Sequence, residues 1–141
     1  MPSCRVYGLP ASKGSLRCLG RGRHIESARG LPAWMLAVKD AWRDQVHDHW
    51  ADRDAMYSVR LTFMLPWPQS YGRPPLAALE HRRRPDLDKL TRGVLDALTG
   101  YAWIDDAQVC SIVAHKIYAY DGQSPGCRIE VTTMQRSHPR T

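Results

Sequence analysis

A chain of 141 residues and 16.0 kDa, with 43% hydrophobic and 24% charged residues, is long enough for one domain with a real core. It is too short for two full domains, and its composition excludes wholesale disorder and collagen-like order. The formal charge of +6, carried by 20 Lys+Arg against 14 Asp+Glu and dominated by 16 arginines, points to an anionic partner, although a GC-rich genome also enriches arginine.

In chain order, Arg5 to Leu9 reads as a first strand, closed by Pro10 and the turn-like Ala11-Ser12-Lys13-Gly14. A basic, Gly-rich loop with Arg17, Arg21 and Arg23 then leads into a brief strand at His24 to Glu26, and it reads as either a solvated loop or a DNA-facing arm. Pro32 opens a helical pattern in which Trp34, Met35, Val38, Trp42, Val46 and Trp50 recur at three- and four-residue steps. Tryptophans at that spacing are more often core than a base-stacking platform, and the other face, with Lys39, Asp40, Arg43, Asp44 and Asp48, is expected to meet water. From Tyr57 the period changes to two. Tyr57, Val59, Leu61, Phe63 and Leu65 should be buried, alternating with Ser58, Arg60, Thr62 and Met64 on an exposed face.

Pro66 to Arg84 is expected to be a loop within one domain. Leu87, Leu90, Val94, Ala97 and Leu98 restore the helical period, and Gly100 stands where a left-handed stop is usual. Trp103-Ile104 leads to Asp105-Asp106, then a strand from Val109 to Tyr120, a hairpin turn at Asp121-Gly122, and a last strand from Arg128 to Met134. The expectation is a single α+β domain over residues 1–136, a small mixed sheet flanked by two main helices, with residues 137–141 as a frayed tail.

No membrane contact is expected, since the longest apolar run, Ala33 to Val38, is far below the roughly 20 residues of a span. Met1-Pro2-Ser3-Cys4-Arg5 lacks a secretory pattern, which argues for a cytoplasmic protein. The four cysteines (Cys4, Cys18, Cys110, Cys127) form no CxxC pair and read as reduced core or surface residues.

The chemistry concentrates in Arg82-Arg83-Arg84-Pro85-Asp86-Leu87-Asp88-Lys89-Leu90 and in Asp105-Asp106. Residues two apart share a side only in extended chain, and Pro85 favours that geometry, leaving Asp88 as the expected helix N-cap with Asp86 just outside. One member of the Asp105-Asp106 pair would then close the group. Three neighbouring carboxylates repel unless a cation neutralises them, and Mg²⁺, which takes hard oxygens together with water and phosphate, suits them. Arg82 to Arg84 would hold a phosphate backbone, so the set points to phosphodiester hydrolysis. The plainer alternative is that Asp86 and Asp88 only cap the helix while Asp105-Asp106 shapes a turn. A DxD also serves metal-dependent glycosyltransferases and aspartyl-phosphate phosphatases, but the latter need an apolar strand where Arg82-Arg83-Arg84-Pro85 stands.

The order Pro85-Asp86-Leu87-Asp88-x-Leu90, Leu95-Asp96-Ala97-Leu98-Thr99, Asp105-Asp106-Ala107-Gln108-Val109 and Lys116 resembles the RusA family of Holliday-junction resolvases. The likeness is close from Arg82 to Lys116 and weaker elsewhere. It implies a homodimeric, intertwined Mg²⁺-dependent endonuclease, with Mn²⁺ as a substitute ion, no organic cofactor, and branched DNA as partner. Carried over residue by residue, Asp86, Asp88 and Asp106 match the catalytic metal-binding aspartates, and Asp105 matches their acidic neighbour. Arg92 falls where the family has a functional lysine, Lys89 where asparagine is frequent, and Lys116 matches a family lysine. Arg92 is expected to contact phosphate or to pair with Asp88 or Asp96. Lys13, Arg17, Arg21, Arg23, Arg82, Arg83, Arg84 and Lys89 are the candidate DNA contacts. The Trp-rich first helix and the Pro66 to Arg84 loop are candidate dimer surfaces. The rivals are a non-catalytic branched-DNA-binding protein and a Mg²⁺ nuclease acting on flaps or forks.

Overall fold

The structure is a computed structural model and describes residues 2–13, 16–18, 24–26 and 30–134, with only the backbone given for 16–18 and 24–26. A four-stranded mixed sheet carries the order β1-β6-β4-β5, built from β1 (Ser3–Tyr7), β4 (Met56–Leu65), β5 (Val109–Tyr118) and β6 (Gly126–Met134). The short strands β2 (Leu16–Cys18) and β3 (His24–Glu26) form a separate antiparallel pair. Arg21, Arg23, Gly14, the Arg17 side chain and the 137–141 tail lie outside the described residues. No helix among the described residues is long and apolar enough to cross a membrane.

Strand β4 sits at the centre because its alternation supplies one fully apolar face. Tyr57, Val59, Leu61, Phe63 and Leu65 are all buried. Met64, expected on the open face, is buried too, because the Arg5 guanidinium folds over it, 3.7 Å from its sulfur. Helix α1 (Leu31–Gln45), with Pro32 in its first turn, buries Trp34, Val38 and Trp42 against the sheet and against α2 (Leu87–Leu98). The tryptophan face of α1 is thus buried in the chain's own core. The helix ends at Gln45 with an extended Val46, and Trp50, expected to continue its apolar stripe, is 82% exposed. The chain turns away there because His49 packs edge-on against Trp42 and meets the Ala102 carbonyl at 2.6 Å.

Helix α2 takes the expected residues and buries Leu90, Val94, Ala97 and Leu98. Gly93 lets the backbone of Ala11 approach, and Gly100 at φ 91° follows the extended C-cap Thr99. Strands β4 and β5 run parallel, joined through α2, while β6 runs antiparallel on the other side of β4. Asp121-Gly122 does turn, with φ of 51° and 74°, but β5 and β6 lie on either side of β4, so no hairpin forms there. At the β1–β6 contact, Gly126 has φ 154°, and a Cβ on it would stand 1.9 Å from the Val6 carbonyl oxygen. Gly126→Ala is therefore expected to destabilise the fold by about 3 kcal/mol or more, read as a lowered denaturation midpoint with unchanged slope.

Candidate active site

The two parallel strands end at Leu65 and Tyr118, and the crevice outside the carboxyl ends of parallel strands is where α/β sheets bind ligands. Asp86 and Asp88 lie there, at the mouth of α2. Asp86, with extended backbone (φ −72°, ψ 140°), is the N-cap; Asp88, expected in that position, is in the first helical turn. The helix starts two residues earlier than its expected cap because Leu87 already packs against the core and Leu90 N–H donates to the Asp86 carbonyl at 3.0 Å. Asp86 makes no side-chain capping bond. Capping alone therefore does not explain it: its carboxylate is exposed and makes an ion pair with Lys89 at 3.7 Å. No hydrogen bond or ion pair to the Asp88 carboxylate occurs among the described residues.

Lys116 holds this segment from below. On β5 it shares a face with Phe63 of β4, and its ammonium donates to the Pro85 carbonyl at 2.8 Å and to the Arg83 carbonyl. Burial lowers its pKa, and the neighbouring Asp86 carboxylate opposes that shift. His81 N–H donates to the Lys116 carbonyl at 2.9 Å, and its ring lies 4.6 Å from Tyr118. Burial, then the Lys116 charge, lowers the His81 pKa, favouring the neutral ring, whose buried Nδ1 has no hydrogen-bond partner among the described residues. Trp67 and Tyr71 complete an aromatic cluster on Tyr118, with Trp67 and Tyr118 rings 5.0 Å apart, and this anchors the loop carrying Arg82 to Arg84. Sequence reasoning missed His81 and this cluster; Trp67, Tyr71 and His81 within a Pro-rich loop were the only signal. A cavity of about 520 Å³ opens beside Asp86, between Leu65, Pro66, His81, Arg84 and Lys89.

Arg82, Arg83 and Arg84 are exposed around the same mouth, Arg83 reaching over Tyr71 with its guanidinium 6.0 Å from the ring centre. Arg92 is exposed and pairs with neither Asp88 nor Asp96. Asp96 instead takes the Lys13 ammonium, so that cation is held in a structural tie between the N-terminal segment and α2.

Asp105 and Asp106 lie elsewhere. They precede Val109, the first residue of β5, whereas the Asp86 segment rests on Lys116 near its far end. Seven strand steps separate Val109 from Lys116, about 23 Å. The acidic pair is thus at the opposite end of the β4–α2–β5 unit from Asp86 and Asp88, and no group of three or more His, Cys, Asp or Glu able to hold a metal ion forms among the described residues. The expected convergence of Asp86, Asp88 and Asp106 within one chain does not occur. The reason is topological: a helix joining two parallel strands carries the chain from one end of the sheet to the other. Asp105 caps the 3₁₀ turn Asp106–Gln108, accepting from Ala107 N–H at 2.9 Å, while the Gln108 amide donates to the Asp52, Arg53 and Ala55 carbonyls. Asp106 is exposed and unpaired among the described residues.

As a donor set, Asp86 and Asp88 fit Mg²⁺, which is held by one or two carboxylates with water and phosphate oxygens filling its shell. Both are hard-oxygen groups, exposed, and not committed to capping bonds. A family model described as endodeoxyribonuclease RusA matches residues 13–132, most of the chain. A search of curated proteins gave no match.

Proposed function

Because the chain belongs to the RusA endodeoxyribonuclease family, we propose that it is a cytoplasmic Mg²⁺-dependent resolvase that cuts four-way DNA junctions in pairs as a homodimer. The observation that carries this reading is the open, uncapped carboxylate of Asp86 beside Asp88 at the carboxyl end of the parallel strands, ringed by Arg82, Arg83 and Arg84. Asp86 and Asp88 would hold the ion, with Mn²⁺ as substitute. When bound, it supplies Lewis acidity to phosphodiester hydrolysis. The arginines grip the backbone on both sides of the scissile phosphate, and exposed Arg92, one helical turn beyond Asp88, contacts a neighbouring phosphate. Since Asp106 stands at the other end of its own chain, a second copy supplies it to the site, and Asp105 fixes the turn that presents it. Two symmetric sites then meet two strands of like polarity.

In this reading Lys116 acts through Asp86 and is a positioning residue. Lys116→Met is expected to lower junction cleavage about 10-fold and to raise the Mg²⁺ concentration giving half-maximal rate, with binding little changed and Lys116→Arg restoring part of the rate. A loss of folding alone would leave the Mg²⁺ requirement of the remaining active protein unchanged.

The direct test incubates purified protein with a labelled synthetic four-way junction in Mg²⁺, with flap, fork and linear duplex substrates alongside. The expected result is symmetric nicking of the junction, no cutting in EDTA, and much slower cutting of the duplex. Binding without cleavage would contradict the enzyme reading, and preference for flaps or forks would reassign the substrate.

A further inference from the structure

The two helices pack on the Val59, Leu61 and Phe63 face of the main sheet, and neither covers the other face. There one row crosses all four strands: Arg5 of β1 lies opposite Arg128 of β6, which lies opposite Thr62 of β4 and then His115 of β5. Two arginines directly across from each other repel. Arg128 is exposed and has no ion pair among the described residues, and Glu130, the only acid in the four strands, is taken by Arg60 at 3.7 Å. Arg5 is locked in place. Its guanidinium donates to the Val6 and Ser124 carbonyls and lies 4.5 Å from the centre of the Tyr7 ring, which is 64% exposed. A depression of about 540 Å³ opens between Arg5, Tyr7, Arg128, Gly122, Gln123 and Ser124. Gly122 and Gln123 also line a second depression, of about 300 Å³, with Trp67, Pro74 and Tyr120. The loop between them is fixed, since Asp121 N–H donates to the Pro75 carbonyl at 3.0 Å and Gly8 N–H to the Pro125 carbonyl at 3.2 Å. Trp67 packs on Tyr71, and Tyr71 lies under Arg83 beside the mouth of α2. The two depressions thus form one track from that mouth, round the end of the sheet, to the uncovered face, and no acidic side chain lines either of them.

We propose that this track binds a single, unpaired DNA strand running out of the mouth of α2, with its phosphates on Arg128 and Arg5 and a base stacked on Tyr7. The proposal rests on the reading that DNA is the partner, and it names the form of DNA and a second place that holds it. Charge selects a polyanion, because a phosphate set between Arg5 and Arg128 turns their repulsion into two attractions. The rings select an unpaired strand. Tyr71, Trp67 and Tyr7 alternate with Arg83, Arg5 and Arg128 along the track, and a cationic path combined with aromatic stacking platforms is how proteins hold single strands. A duplex keeps its base faces inside the stack and leaves Tyr7 without a role. Arg5 already lies on the Tyr7 ring, so a base that stacks there gains a cation close by. Base pairs that open at a branch point would supply such a strand.

The test reads the fluorescence anisotropy of a labelled oligothymidine of about 12 nucleotides in EDTA. Tyr7→Ala is expected to weaken binding about 10-fold, with Tyr7→Phe near the parental affinity, since stacking needs the ring and not the hydroxyl. Arg128→Ala is expected to weaken it about 5-fold and to lower the slope of log affinity against log salt by about 0.7, the share of one phosphate contact. A blunt duplex of equal length should lose little affinity with Tyr7→Ala. Unchanged oligothymidine binding in both alanine variants, or equal losses on the duplex, overturns the proposal. With the unaltered protein, an oligonucleotide carrying iododeoxyuridine should cross-link under ultraviolet light to Tyr7 or Trp67. Cross-links confined to residues off the track overturn the proposal too, and this measurement decides alone if a variant fails to fold. Junction cleavage by the parental protein in Mg²⁺ checks the nuclease reading separately. Cleavage with no effect of either substitution on oligothymidine binding would strike the track and keep the nuclease, and the binding effects without cleavage would do the reverse.

Discussion

Replacing Asp86 by Asn is expected to slow junction cleavage in Mg²⁺ by about 100- to 1,000-fold, the usual cost of removing one group that stabilises developing charge at a reacting centre. The substitution keeps shape and removes charge. Folding should be little affected, by less than about 0.5 kcal/mol, because the carboxylate makes no capping bond and its ion pair with Lys89, at 3.7 Å, lies on an exposed surface. Binding in EDTA should persist or tighten, since a negative charge facing a polyanion has gone while Arg82, Arg83 and Arg84 remain. Single-turnover cleavage and gel retardation on one junction separate the two effects. Cleavage at near the parental rate would place the acidic centre away from the mouth of α2.

Much of this was legible because local physics dictated it. The two-residue alternation from Tyr57 to Leu65 and the helical period from Leu87 to Leu98 depend on near neighbours, and both elements formed where those patterns lay. Pro85 disfavours helix just before Asp86, so the mouth of α2 and its two carboxylates could be read directly from the chain. The errors share a different cause. Trp50 continues a helical stripe on paper, yet the helix had already ended because His49 found Trp42 and Ala102. Asp121-Gly122 has hairpin chemistry, but β4 had already taken the place between the strands it joins. The same kind of long-range pairing separated Asp106 from Asp86. Spacing along the chain brings them within reach, whereas a parallel β4–β5 pair puts them at opposite ends of the sheet. His81 was illegible for a related reason, since its place beneath Asp86 depends on Lys116 and Tyr118, two residues far along the sequence.

The separation of Asp106 from Asp86 turns the account into a measurable claim about two copies. If each site joins Asp86 and Asp88 of one subunit to Asp106 of the other, Asp86→Asn and Asp106→Asn proteins are each inactive alone. Their mixed dimer then holds one site with both substitutions and one with neither. After subunit exchange at equal concentrations, half the dimers are mixed, and nicking of a four-way junction should recover to about a quarter of the parental level. If each subunit completed its own site, every site in the mixture would carry a substitution. Nicking that stays at the level of the separate variants, with mixed dimers confirmed by mass, would contradict the account.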